Sequence, residues 1–188
     1  MRRCFSDGGA LTVNSTGLRY IQMSYYDEEP TRHDTAQICV NGHEINSWAG
    51  TQAEFNAAFC KQCGAKTISA CPGCGGAIQG HALIPGVVSL GPYDVPAHCH
   101  ACGKPYPWTE ARIQVAREAA GELENLTREE QEQLKGTIDD IVVDTPRTTL
   151  AAMRFNKLVG KAGKGAVRSF ENILESVVSE ATRKMIFP

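Results

Sequence analysis

Four half-sites set what this chain can fold into: Cys39-Val-Asn-Gly-His43, Cys60-Lys-Gln-Cys63, Cys71-Pro-Gly-Cys74 and Cys99-His-Ala-Cys102. Seven of the eight cysteines lie between Cys39 and Cys102. The surrounding sequence is rich in Gly and Pro and holds only short strand-like runs, Thr67-Ile68-Ser69 and Val87-Val88-Ser89-Leu90. No segment there can bury a core alone. Metal-binding energy therefore has to become folding energy.

Seven cysteines plus His43 give eight ligands, the number that two tetrahedral Zn²⁺ ions need. Thiolate and imidazole donors suit zinc. A site closed by four protein ligands keeps no position for water, so structural zinc is expected rather than catalytic zinc. Each Cys-x-x-Cys pair is followed by a glycine, Gly64, Gly75 or Gly103, which relieves crowding where the chain turns around the ion. In the first half-site Gly42 precedes His43, and a slightly longer turn is expected there. A thioredoxin-like dithiol needs a strand before the pair and a long helix after it, and here turn residues follow. All-cysteine iron–sulfur ligation is disfavoured by His43, and disulfides by the reducing compartment inferred below. Cys4 reads as a free thiol. His98 and His100 are alternative ligands that the cysteine spacing does not require.

Four half-sites pair in three ways. Joining the middle two leaves only Gly64 to Ala70 to leave one knuckle and enter the next. Interleaved pairing gives a cross-brace of the RING or FYVE type. Sequential pairing gives two ribbons, with residues 44–59 and 75–98 running out and back as hairpins. It is the favoured reading, because Gly64 to Ala70, at most roughly 25 Å when extended, bridges two metals naturally.

The run FCKQCGAKTISACPGCGG resembles the middle of bacterial double zinc ribbons, where one knuckle closes a ribbon and the next opens another. The longer pattern of ICVNGHEIN, FCKQCGAKT, CPGCGGAIQG, HCHACGKPYPWTE and a helical tail ending SEATRKMIF resembles a bacterial family of unknown function, over about residues 36–188. That resemblance implies zinc at Cys39, His43, Cys60, Cys63, Cys71, Cys74, Cys99 and Cys102, and implies no substrate. The first 22 residues or so fall outside it, and Met23 is an alternative start.

Three regions are expected: 1–37, largely irregular; 38–108, a small zinc-stabilised β module (double zinc ribbon); and 109–188, an all-α helical region. Helices are expected near 109–121, 128–143, 146–161 and 165–186. Thr127 and Glu130 make a capping box. Thr145-Pro146 places a capping side chain before a proline at the first helical position. Val167, Phe170, Leu174, Val177, Ala181 and Met185 form one apolar stripe, read as core. Pro105-Tyr-Pro-Trp108 is read as packing the ribbon onto the helices, and stacking on a base by Tyr106, Trp108 or Trp48 is the sharper alternative.

The formal net charge of −2 over 188 residues excludes a basic or acidic tail protein. No run of about 18 apolar residues is present, and the N-terminus does not read as a signal peptide; a cytoplasmic protein is expected. Arg147, Arg154, Lys157, Lys161, Lys164 and Arg168 recur at helical steps with no acid between Thr145 and Phe170. They form either a solvated face or a phosphate-binding stripe for nucleic acid or an anionic membrane surface. No nucleophile–base pair, P-loop or dinucleotide fingerprint is evident. The leading expectation is a non-catalytic zinc-binding module that docks a protein partner or self-associates. A nucleic-acid-binding protein using residues 147–168 and a RING-like cross-brace adaptor are the alternatives.

Overall fold

Backbone pairing turns the short apolar runs into strands. The computed structural model describes residues 11–13, 19–21, 32–84, 87 and 91–187, and the chain divides into two compact units, Met1–Arg32 and His33–Pro188. In the first unit, β1 (Leu11–Val13) and β2 (Arg19–Ile21) pair antiparallel, Leu11 opposite Ile21 and Val13 opposite Arg19. Most of the segment expected to be irregular, 1–37, lies outside the described residues, and within it these two short strands pair. Strands of three residues are too short to display a period, and only their pairing reveals them. Cys4, Met23 and most of Val87–Leu90 lie outside the described residues.

In the second unit, which holds all but the first residue of β3 (Arg32–Thr35), β3 pairs with β7 (Gln79–Leu83), and β4 (Gln37–Cys39) lies between β5 (Glu44–Asn46) and β6 (Thr67–Ile68). Both neighbours of β4 run antiparallel to it, with Ile38 opposite Ile68 and Cys39 opposite Thr67. Where β7 passes the start of the sheet region the backbones touch. A methyl at Gly80 would run into the carbonyl oxygen of Ser47 and sit 3.0 Å from the carbonyl carbon of Thr35. Ala36, Ile38, Ile78, Cys71, Cys99, Tyr106 and Trp108 make one small buried core, with Ile68, Tyr93 and Val95 at its edge.

Five helices follow: α1 (Pro107–Gly121), α2 (Arg128–Ile141), α3 (Thr148–Ala162), α4 (Lys164–Leu174) and α5 (Glu180–Ile186). The capping box that starts α2 is present: the Glu130 amide donates to Thr127 Oγ1 at 3.3 Å, and the Thr127 amide to Glu130 Oε2 at 3.0 Å. Two helix expectations are corrected. Pro146 is not the first residue of α3. It lies in a preceding turn in which the Thr148 hydroxyl donates to the Val143 carbonyl (2.8 Å) and the Arg147 amide to Thr145 Oγ1 (3.2 Å). The helix expected over 165–186 is two helices. Val177 and Val178 both turn into the core at the break, and Ser179 caps α5 by accepting from the Thr182 amide. Two β-branched residues followed by a serine that bonds its own backbone favour this interruption. Asp144 fastens it, accepting from the Ser179 and Thr182 hydroxyls at 2.9 Å each.

The helical core runs from Ile113 to Ile186 and centres on Phe155, whose ring meets those of Phe170 and Phe187 edge to face at 5.5 and 5.9 Å. It shares no residue with the core of the sheets. Helix α1 bridges the two, giving Trp108 to the first and Ile113, Ala116 and Ala120 to the second. Among the described residues, no helix is long and apolar enough to cross a membrane.

Candidate metal centres

The three Cys-x-x-Cys half-sites are the same turn built three times. In each, the glycine after the second cysteine donates its amide to the first cysteine's carbonyl: Gly64 to Cys60, Gly75 to Cys71 and Gly103 to Cys99, all at 2.8 Å. The first cysteine's amide then closes the loop one residue beyond the glycine, on Ala65, Gly76 and Lys104, again at 2.8 Å. The glycines sit at φ +69°, +75° and +71°, a region that side chains rarely adopt. The Cys39–His43 half-site corrects the expectation of a longer turn. Its glycine amide returns from Gly42 to the Cys39 carbonyl, one position earlier, and the Cys39 amide closes on His43 at 2.9 Å. The longer imidazole reaches the cluster from a shorter turn.

These turns bring the eight side chains into two groups, Cys39–His43–Cys60–Cys63 and Cys71–Cys74–Cys99–Cys102, each with its ligand atoms within 4.8 Å of one another. In the first, Cys39 Sγ lies 3.8 Å from Cys63 Sγ, and His43 Nδ1 lies 3.4, 3.3 and 3.6 Å from the sulfurs of Cys39, Cys63 and Cys60. In the second, Cys71–Cys102 and Cys74–Cys99 are 3.9 and 3.7 Å apart. A tetrahedral zinc with ordinary bond lengths separates two sulfurs by about 3.8 Å and a sulfur from a nitrogen by about 3.5 Å. These six separations match edges of a coordination tetrahedron, and each group could hold a metal ion. The seven cysteines are free thiols. The first cysteine of each half-site is buried, and Cys63, Cys74 and Cys102 face solvent.

The grouping joins the first half-site to the second and the third to the fourth. A cross-brace requires Cys39 and His43 beside Cys71 and Cys74, so the RING-like arrangement is overturned. His98 and His100 belong to neither group.

Amides and polar groups surround the sulfurs as they would surround thiolates. The His43 amide donates to Cys39 Sγ at 3.2 Å, the Gly76 amide to Cys74 Sγ at 3.5 Å, and Asn41 Nδ2 to Cys63 Sγ at 3.5 Å. The Ala65 amide, with Asn41 and His43, draws the Cys63 thiol down to about 6. Burial pushes the Cys39 thiol up. Burial opposes ionisation of Cys99, yet the amides of Ala101 and Cys102 bring it to about 6. At Cys74 the Gly76 amide is outweighed by neighbouring sulfurs, chiefly Cys102, which hold it up at about 12. Without a cation, one thiolate suppresses the next; with one, every cysteine of a cluster can ionise.

Supporting residues were not legible from ligand spacing. Tyr106 is 1% exposed, and its ionisation is suppressed first by burial and then by its hydrogen bond to Cys99. It stacks on Trp108 at 4.7 Å, and Trp108 Nε1 donates to the Pro96 carbonyl at 3.0 Å. With Trp108 only 5% exposed, base stacking by this pair is ruled out. Trp48 is half-buried and stacks on His81. Asp34 is buried and accepts from the amides of Thr35 (2.6 Å), Gly50 (2.9 Å) and Thr51 (3.2 Å). Burial alone would raise its pKa, but the Thr51 hydroxyl and these amides hold it below the ordinary carboxylate value.

The six basic residues do not share one helix. Arg147 precedes α3, Arg154, Lys157 and Lys161 lie on it, and Lys164 and Arg168 lie on α4 beyond Gly163 at φ +104°. Lys161 is engaged internally, 2.6 Å from Glu130.

The chain thus combines two Cys/His clusters that could hold metal ions with small antiparallel sheets and a separate helical core. Over residues 32–186 it matches the sequence model of DUF2321, described as an uncharacterized protein conserved in bacteria, and it belongs to that family. No curated protein and no solved structure matches it.

Proposed function

We propose that each cluster holds one structural Zn²⁺, that the two half-site pairs form two zinc ribbons, and that the protein is a non-catalytic interaction module. The observation that supports this most is the match between the ligand-atom separations and the edges of a zinc tetrahedron, with every corner supplied by the protein. His43 would bind through Nδ1, leaving Nε2 to carry the ring proton. An ion so enclosed has no position for water or substrate, and its role is to hold the small sheet core together. A reducing cytoplasm keeps such thiolates available. The exposed knuckles and the helices would then present a surface to a protein partner. The nucleic-acid alternative has less support, because the basic residues lie on two helices and in the turn before them, and Tyr106 and Trp108 are buried.

Native mass spectrometry of the purified protein tests the metal assignment. Two zinc ions per chain, with one lost from Cys60→Ser and one from Cys99→Ser, are expected. A metal-free folded protein, or a single ion, would overturn it.

A further inference from the structure

We propose that the outward face of α3 docks on an anionic lipid surface. Leu150, Met153, Arg154, Lys157 and Lys161 recur at spacings that place them on one side of the helix. The opposite side, Ala151, Ala152, Phe155, Leu158 and Val159, is buried in the helical core. α3 contains no aspartate or glutamate. Met153, at 66%, is the most exposed large apolar side chain among the described residues, and Leu150, at 47%, lies one turn before it.

Of the cations on this face, Lys161 pairs with Glu130, while Arg154 and Lys157 make no ion pair among the described residues. Arg117, Lys135, Lys161, Arg183 and Lys184 are in ion pairs with carboxylates. Arg147, Arg154, Lys157, Lys164 and Arg168 are exposed and make none among the described residues. Arg112 on α1, which donates to the Ser176 hydroxyl, and Arg128 on α2 also lie outside ion pairs among the described residues; the other five fall between residues 147 and 168, and Arg154 and Lys157 share the face of α3 with the two exposed apolar tips.

This combination selects the partner. A nucleic-acid backbone would engage the cations and leave Leu150 and Met153 in water. At the boundary of headgroups and acyl chains, the guanidinium and ammonium groups stay with lipid phosphates while the two apolar tips enter the chains. α3 is already folded against its core, so docking orders little chain. Two apolar residues and a few cations give weak, reversible attachment that depends on salt.

Sedimentation of the full-length, metal-loaded protein with phosphatidylcholine vesicles, with and without about one-third phosphatidylglycerol, tests this. Retention on the anionic vesicles alone, lost in roughly 0.5 M salt, is expected. Arg154→Ala with Lys157→Ala should weaken it about 25-fold, roughly fivefold per cation. Leu150→Ser with Met153→Ser should weaken it about tenfold or more. All four positions are exposed, so the variants should keep the parent's far-UV spectrum and Tm. Duplex DNA serves as a polyanion without an apolar phase. Absence of retention at low salt would overturn the proposal. So would vesicle binding that ignores Leu150→Ser/Met153→Ser while DNA binding falls in parallel with the cations, which would assign the face to nucleic acid.

Discussion

Removing metal should unfold the sheets and spare the helices. The sheet core contains Ala36, Ile38, Ile78, Tyr106 and Trp108 besides two of the ligand cysteines. Full burial of an ordinary large apolar side chain contributes about 1.5–3 kcal/mol, so these few supply on the order of 10 kcal/mol. Ordering each residue of the surrounding chain costs about 1–2 kcal/mol. A structural zinc contributes roughly 10–16 kcal/mol, so losing two removes more than the entire net stability of a typical domain, about 5–15 kcal/mol. The helical core contains no ligand and no residue before Ile113. Titration of the zinc-loaded protein with a chelator, followed by tryptophan emission and far-UV circular dichroism, separates the two. Emission should shift to the red as Trp108 leaves its core, while most of the helical signal at 222 nm persists. A helical signal that collapses in parallel with emission would refute the separation of the cores. Unchanged emission after complete metal removal would refute the structural role of the ions.

Two substitutions test the packing beneath the sites. Gly80→Ala forces a methyl against the Ser47 carbonyl and the Thr35 backbone; the expected loss is about 1–3 kcal/mol or more, read as a lower midpoint in denaturant, and an unchanged midpoint would contradict the close approach. Asp34→Ala strands the amides of Thr35, Gly50 and Thr51; a loss of about 2–4 kcal/mol at pH 7 is expected, with faster amide exchange at Gly50 and Thr51. Because folding depresses the Asp34 pKa, its contribution is complete above the unfolded carboxylate value near 3.8 and is lost as pH falls through the folded one. Equal stability of variant and parent at pH 7 would count against that role.

The two groups of four residues were legible because metal-binding chemistry restricts both residue type and spacing, and the glycines after Cys63, Cys74 and Cys102 announce the turns. The Cys39–His43 turn was misjudged because the reach of imidazole, set by side-chain length rather than chain length, compensates for a tighter loop. Thr127 and Glu130 marked the start of α2 through local chemistry that tertiary structure did not override. The break at Val177-Val178-Ser179 was hidden because its apolar residues keep a helical spacing while turning into the core by another route. Asp34 and Asn41 act through contacts distant in sequence, which no single-residue pattern displays. The six basic residues fall on both sides of Gly163, whose positive φ separates α3 from α4, a break legible in the sequence as the gap between helices expected at 146–161 and 165–186.

The central claim is that two closed sites pair half-sites in sequence, and cadmium-113 NMR of the substituted protein tests it most directly. Two resonances are expected, one for three thiolates with an imidazole and one, further downfield, for four thiolates. Cys39→Ser should move only the resonance that Cys60→Ser also moves, and Cys71→Ser only the one shared with Cys99→Ser. A Cys39→Ser change that moves the Cys71 resonance and leaves that of Cys60 in place would contradict the account.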